Sequence, residues 1–184
     1  MNHLTHIRAL LNADARRWQI LQQVRDLRLP DCWVAAGFIR SAVWNHLHGH
    51  TPSTLPTDID VIWFNPDNAS LEQDIELEAK LLSVDNTLNW SVKNQARMHL
   101  RNGDRPYASA TDAMAYWPET ATAVAARLSA NDKVEVAAPF GLDDLFDLIV
   151  RPVGRFRDEK KPLFMERLQS KQWLTKWPDL TVVD

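Results

Sequence analysis

Cysteine is nearly absent from this 184-residue chain: Cys32 stands alone, which excludes an internal disulfide framework and a cysteine-rich zinc site. Its surroundings, Cys32-Trp33-Val34-Ala35-Ala36, mark it as a small buried apolar residue rather than a reactive thiol. No apolar run approaches the length of a membrane span. The opening Met1-Asn2-His3-Leu4-Thr5-His6 lacks the charged-then-apolar layout of a secretory leader, so a cytoplasmic protein is expected. Positive charge is not in excess: the net charge of −3 argues against a surface built mainly to hold nucleic acid, and any such contact has to be local. No internal repeat, low-complexity tract or interdomain linker interrupts the chain. What is present suits one globular domain, long enough for a proper core and too short for two comfortable ones. The eight tryptophans are scattered, so most are expected in the core or in cleft walls.

The most informative stretch is Thr57-Asp58-Ile59-Asp60-Val61-Ile62-Trp63-Phe64, an apolar run with acids at alternate positions. In a strand, residues two apart share a face, so Asp58 and Asp60 can converge on one point. Two carboxylates that close repel each other, and a divalent cation relieves the repulsion. Oxygen ligands that also meet substrate phosphates suit magnesium. The same string also fits an acidic turn entering an ordinary strand, with Asp58 as a cap and Asp60 solvated.

Residues 1 to 29 read as helical, with stripes at Leu4, Ile7, Leu10, Leu11 and at Trp18, Leu21, Val24, Leu27. A short buried strand over Cys32 to Ala36, a turn at Gly37 and a helix from Phe38 to His48 follow. Glycine at a helix start lets the backbone approach a ligand closely, and the free amides there favour phosphate. It also makes an ordinary tight turn. The histidines His46, His48 and His50 straddle Gly49, which breaks the spacing of a helical zinc pair. Ser70-Leu71-Glu72-Gln73 is a capping box opening a helix to about Leu82. Asn89 to Val92 read as a strand leading into a polar cluster, where Lys93 and Arg97 suit a triphosphate and Asn94 a sugar or base, or all three are solvated ends. Pro118 opens an expected helix to about Leu128, Lys133 to Ala137 a strand, and Leu142, Leu145, Phe146 and Ile149 a helical stripe. Asp143 and Asp144 suit that helix's first turn structurally. Residues 151 to 161 hold five basic and two acidic side chains, either a solvated loop or a seat for an acceptor's phosphates. A last amphipathic helix spans roughly Lys161 to Trp173.

The strand, glycine turn and helix followed by the acidic strand resemble the head domain of the polymerase-beta-like nucleotidyltransferase superfamily. Ala36-Gly37-Phe38-Ile39-Arg40-Ser41 is similar to the glycine-glycine-aromatic-aliphatic-arginine-aspartate motif of bacterial CCA-adding enzymes and poly(A) polymerases, and Asp58-Ile59-Asp60-Val61 to their metal-binding strand. Phe140-Gly141-Leu142-Asp143-Asp144-Leu145 resembles the segment that closes that head. Within this superfamily the chain looks most like a small family of bacterial stand-alone nucleotidyltransferases, through the strings Trp90 to His99 and Trp117 to Ala121. Ala36 stands where the motif has its first glycine and Ser41 where it has its aspartate.

The resemblance implies an α+β fold: a small mixed sheet with helices packed mainly on one face, as a single domain with helices over 1–29, a nucleotidyltransferase core over 32–155 and a C-terminal helix and tail over 156–184. It implies transfer of a nucleoside monophosphate from a nucleoside triphosphate to an acceptor hydroxyl. Asp58 and Asp60 would be catalytic and hold one or two Mg2+ ions, with Glu135 in place of a third carboxylate because Ser91 occupies the expected position. Gly37, Phe38, Arg40, Lys93, Asn94 and Arg97 would bind nucleotide, although Arg40 also suits bracing the sheet by pairing with an acid. The helical neck, body and tail that measure transfer RNA have no counterpart, so the acceptor is open among an RNA end, a protein and a small molecule. Two other readings stay beside this one: a degenerate head that binds nucleotide without transferring it, and a protein-interaction module.

Overall fold

The computed structural model describes residues 2–183. Two helices, α1 (His3–Ala13) and α2 (Ala15–Arg25), open the chain, each capped by an acidic or amide side chain, Asn2 and Asp14. Strand β1 (Trp33–Ala35), helix α3 (Gly37–Leu47), strand β2 (Asp58–Trp63), helix α4 (Leu71–Val84) and strand β3 (Asn89–Asn94) follow. Ser70 caps α4 by accepting from the Gln73 amide, as its capping box predicts. Then come α5 (Gln95–Asn102), α6 (Ala110–Met114), β4 (Ala125–Leu128), β5 (Val134–Ala137), α7 (Asp143–Phe146), β6 (Ile149–Val150), α8 (Lys161–Lys171), α9 (Trp173–Lys176) and β7 (Thr181–Val182).

Five strands form a mixed sheet in the order β3-β2-β1-β4-β5, parallel between β2 and β3 and antiparallel elsewhere, while β6 and β7 make a separate parallel pair. The architecture is therefore α+β, as the sequence implies. Strand alternation divides β2 sharply. Ile59, Val61 and Trp63 point into the main core, where Ile7, Leu11, Ile20, Leu21, Val24, Phe38, Val43 and Leu81 from the first four helices meet Val34, Val92 and Ala126. The other face carries Asp58, Asp60 and Ile62, with Ala35, Trp33 and Ala125 beside them in a smaller cluster. One face of the sheet is thus covered by the first four helices, while the other, packed in part by Ala110 and Met114 of α6, carries the acids.

Two expectations fail and one open reading is sharpened. The helix expected from Pro118 to Leu128 is a 3-10 turn at Thr120–Thr122 followed by strand β4. Its alanines favour helix in isolation, but Ala125 and Ala126 are fully buried between β1 and β5, where small side chains suit both crowded faces. The polar cluster from Lys93 is a strand end and a helix start, since the Asn94 side chain accepts from the Ala96 amide and opens α5. The stripe through Ile149 is split: α7 is a single turn, and Ile149 belongs to β6.

Candidate active site

Asp58 and Asp60 lie on the open face of β2, with Ala35 of β1 directly across from Asp60 and Ser91 of β3 on its other side. Asn89 donates to Asp58 and fixes its carboxylate. The loop that delivers Asp58 is held from behind. The buried Arg17 guanidinium donates to the Thr54 carbonyl at 2.9 Å, the Phe38 carbonyl at 3.3 Å and the Ser53 hydroxyl at 3.1 Å, and pairs with Asp14. Asn45 also donates to the Thr54 carbonyl and accepts from the Trp177 indole at 2.9 Å. Asp60 is half-buried, and burial, then the neighbouring Asp58 charge, push its carboxyl above the usual carboxylate range, against the pull of Lys171, Arg40 and Arg167. This is the arrangement a divalent cation stabilises. Two carboxylates fit Mg2+, which uses one or two of them and completes its shell with phosphate and water.

The glycine turn sits beside this pair. Ala36, before α3, has φ 53° and ψ −117°, a conformation L-residues adopt at a cost of about 1–3 kcal/mol. Its amide is fixed to the Val124 carbonyl at 2.8 Å. The motif's first glycine thus has a backbone reason, and Ala36→Gly should relieve strain. Against the lost chain entropy of about 0.4–1 kcal/mol, the net gain expected is about 1 kcal/mol, read as a melting temperature roughly 2–4 °C higher. At Gly37 the constraint is space: a Cβ would lie 3.1 Å from Pro56 Cβ.

Two clefts meet at Asp60, sharing Ala36, Asp60 and Arg167 among their walls. The smaller, about 370 Å³, contains Asp58, Gly37, Ser41 and Arg40 and is closed by Lys171, Trp173, Lys176 and Trp177 of the C-terminal helices. Arg167 and Lys171 are four apart on α8, so both project toward the acid pair. Burial, Arg40 and Arg17 lower the Lys176 ammonium below the usual lysine range, the mark of a cationic cluster. The larger cleft, about 430 Å³, runs along Ser91, Lys93, Gln95 and Arg101 to Tyr116, Trp117, Phe156 and Lys160.

The structure sorts the sequence-named residues. Asp58, Asp60, Gly37 and Arg40 come together around the smaller cleft. Arg40 is almost fully buried, donates to the Thr122 hydroxyl at 3.1 Å and stacks 4.3 Å from the Trp173 ring, so its brace runs through a hydroxyl and an indole and not through an ion pair. Burial, partly countered by Glu119, lowers its guanidinium to about 10, and its Nε has no partner among the described residues. Phe38 is fully buried in the main core, which leaves only its backbone to face a ligand. Lys93 lines the larger cleft while paired with Glu78 at 2.8 Å.

Asn94, Arg97 and Glu135 are placed elsewhere. The Asn94 amide donates to the Asn65 and Asn68 carbonyls and its oxygen caps α5, so none of its side chain is left for a sugar or base. Arg97 pairs with the buried Asp74. Glu135 lies on β5 at the far edge of the sheet, paired with Arg127 at 2.7 Å. Two strands separate it from β2, roughly 14 Å at the usual strand spacing, too far to share one ion with Asp58 and Asp60. Among the described residues no group of three or more His, Cys, Asp or Glu is placed to hold a metal.

Other candidates resolve as structure. His46 faces His6, His48 bonds the Trp44 carbonyl and His50 the Asn45 side chain, so each ring has its own partner although those of His48 and His50 lie 5.7 Å apart. Burial pushes the Cys32 thiol up to about 12, which keeps it unreactive. Asp144 is held below the usual carboxylate range by Arg151 and Thr120. The residues missed in the sequence are Arg167, Lys171 and Lys176. Their only sequence signal was the four-residue spacing of two cations on the last helix.

Comparison with known proteins bears on the family and the fold. A family model described as nucleotidyltransferase matches residues 22–182, whereas no curated protein matches. An NMR structure described as a CCA-adding enzyme head domain is 37% identical with a TM-score of 0.87, covering 98% of this chain and 95% of that one. A Thermotoga maritima CCA-adding enzyme complexed with transfer RNA is 15% identical (TM-score 0.61), and a CCA-adding enzyme complexed with CTP is 14% identical (TM-score 0.60). Each covers 97% of this chain, which spans only 42% and 43% of their respective lengths, and at that identity the likeness concerns the fold. No helix among the described residues is long and apolar enough to cross a membrane. A family model over most of the sequence and a relative aligned nearly end to end lead to one conclusion: the chain belongs to the nucleotidyltransferase family.

Proposed function

We propose that the protein moves a nucleoside monophosphate from a nucleoside triphosphate to an acceptor hydroxyl, with Mg2+ held by Asp58 and Asp60. The observation that carries this reading is the smaller cleft, where two converging carboxylates face the start of α3 and the cations Arg167, Lys171 and Lys176. A triphosphate laid there meets helix-start amides and cationic side chains together. Magnesium, when bound, supplies charge neutralisation and orientation at the phosphates. Lys171 then balances charge on the departing pyrophosphate, and the Gly37 turn lets the backbone approach it closely. The acceptor oxygen's lone pair forms the new P–O bond, the bond to pyrophosphate breaks with its electron pair leaving on pyrophosphate, and the hydroxyl proton passes to water.

Transfer of label from each α-labelled ribonucleoside triphosphate into a cell extract, with magnesium, tests the reading and reveals base and acceptor together. Lys171→Ala should raise KM for the triphosphate about ten- to a hundredfold, the loss of one charge-assisted contact of roughly 1.5–3 kcal/mol. A second reading, nucleotide binding without transfer, is favoured by Ser91 standing beside Asp60 where a third carboxylate would sit. It predicts binding of triphosphate with no pyrophosphate release. Neither binding nor release would leave the fold without this function.

A further inference from the structure

We propose that the larger cleft is the acceptor site and that it takes a free mononucleotide, not the end of a nucleic-acid strand. The inference rests on the nucleotidyl-transfer reading, which places the triphosphate in the smaller cleft. Because the two clefts meet at Asp60, a hydroxyl in one reaches a phosphate in the other at the carboxylates. A volume of about 430 Å³ lies in the ordinary range for a small-molecule site.

The lining names the ligand's parts. Tyr116, Trp117 and Phe156 offer half-buried aromatic surface suited to stacking a flat base. Cations flank it. Arg101 is exposed on α5 with no ion-pair partner among the described residues, and Lys160 spends one of its three N–H groups on the Asn102 carbonyl at 2.9 Å. These suit a phosphate. Ser91, beside Asp60 on β3, and Gln95 at the start of α5 add polar groups that suit a ribose.

The electrostatics decide against a strand of RNA. Tracking a polynucleotide takes several unpaired cations along a surface. Of the four cations in this cleft, Lys93 is tied to Glu78 at 2.8 Å and Arg167 to the buried Glu119 at 2.6 Å. Two cations of the basic run from Arg151 are spent on acids as well, Arg151 on Asp144 and Arg155 on Asp104, while Arg157 is exposed and donates to the Pro152 carbonyl outside the lining of this cleft. What remains matches one or two phosphates. In the reaction a ribose hydroxyl oxygen of the mononucleotide bonds to the α-phosphorus, pyrophosphate departs with the electrons of the broken P–O bond, and the proton goes to water.

The test is equilibrium binding to protein saturated with magnesium and a non-transferable α,β-methylene nucleoside triphosphate, probed with AMP, CMP, GMP, UMP and a five-nucleotide single-stranded RNA. The expected result is that at least one monophosphate binds as a second equivalent without displacing the analogue. Its affinity should fall at least tenfold in Arg101→Glu and in Trp117→Ala, with analogue affinity within twofold of wild type. One-for-one displacement of the analogue would overturn the proposal, as would RNA binding ten times tighter than the best monophosphate and weakened by the same variants. No monophosphate binding while the analogue binds also overturns it and leaves the triphosphate site standing. Failure of the analogue itself to bind sinks the underlying transfer reading, and this proposal with it.

Discussion

Asp60→Asn is expected to lower pyrophosphate release about 10³-fold or more while raising the melting temperature of the metal-free protein. The first effect follows from removing one of two carboxylates that hold the charge balance of the reaction, worth several kcal/mol at the transition state, each 1.36 kcal/mol being a factor of ten. The second follows from the carboxyl's own situation. Burial and the Asp58 charge raise its pKa in the folded chain above the unfolded value of roughly 3.9. A raised carboxyl detracts from stability once it must ionise in the fold, so the penalty is absent below the unfolded pKa and complete above the folded one. The stabilisation by Asp60→Asn should therefore be present at pH 7 and vanish as the pH falls toward about 4, at roughly 2–4 °C for each kcal/mol relieved. Melting curves of wild type and variant at both pH values, without metal, check this. The opposite slope belongs to Asp144, whose depressed pKa adds stability that is lost as the pH falls. A variant less stable at pH 7 would mean that Asp60 serves the fold, and its loss of activity would then say nothing about metal binding. Asp58→Asn should abolish release to a similar degree.

The residues that were legible in the sequence are those whose role is set by near neighbours. Alternation along β2 places Asp58 and Asp60 on one face whatever the rest of the chain does. A glycine between a buried strand and a helix announces the turn, and Ser70 with Gln73 announces the start of α4. Roles that depend on a distant partner were not readable. Arg97 and Asn94 look like substrate contacts because a polar cluster after a strand points either to a ligand or to buried acceptors. Here those acceptors are Asp74, Asn65 and Asn68, reached only when α4 and its approach fold over β3. Glu135 alternates correctly on its strand, but strand order, not alternation, decides whether it can join Asp60. Arg167 and Lys171 enter the site because the chain returns after β6, and an amphipathic pattern does not say what its polar face will meet.

Asp74→Ala should cost about 3–5 kcal/mol, the penalty for leaving a buried ion pair half-made, and lower the melting temperature by roughly 6–20 °C at 2–4 °C per kcal/mol. Asp74 is fully buried, and every bond it makes ties two elements together. It accepts from the Trp63 indole at 2.8 Å, at the end of β2, from the Asn94 amide at 3.0 Å, where β3 becomes α5, and from Arg97 on α5 itself. Removing it therefore unties the acid-bearing strand from the helix that lines the larger cleft. Arg97 distinguishes the structural role from a nucleotide-binding one. Arg97→Met should lower the melting temperature while leaving KM for the triphosphate within about twofold, whereas a phosphate contact would show the reverse, an unchanged melt and a KM about tenfold higher. The combined variant Asp74→Leu with Arg97→Met should lose less stability than the two single changes added together, because neither charge is then buried without its partner. Strict additivity in urea unfolding would show that the two residues do not act as a pair, and Arg97 would return to the list of groups that meet substrate.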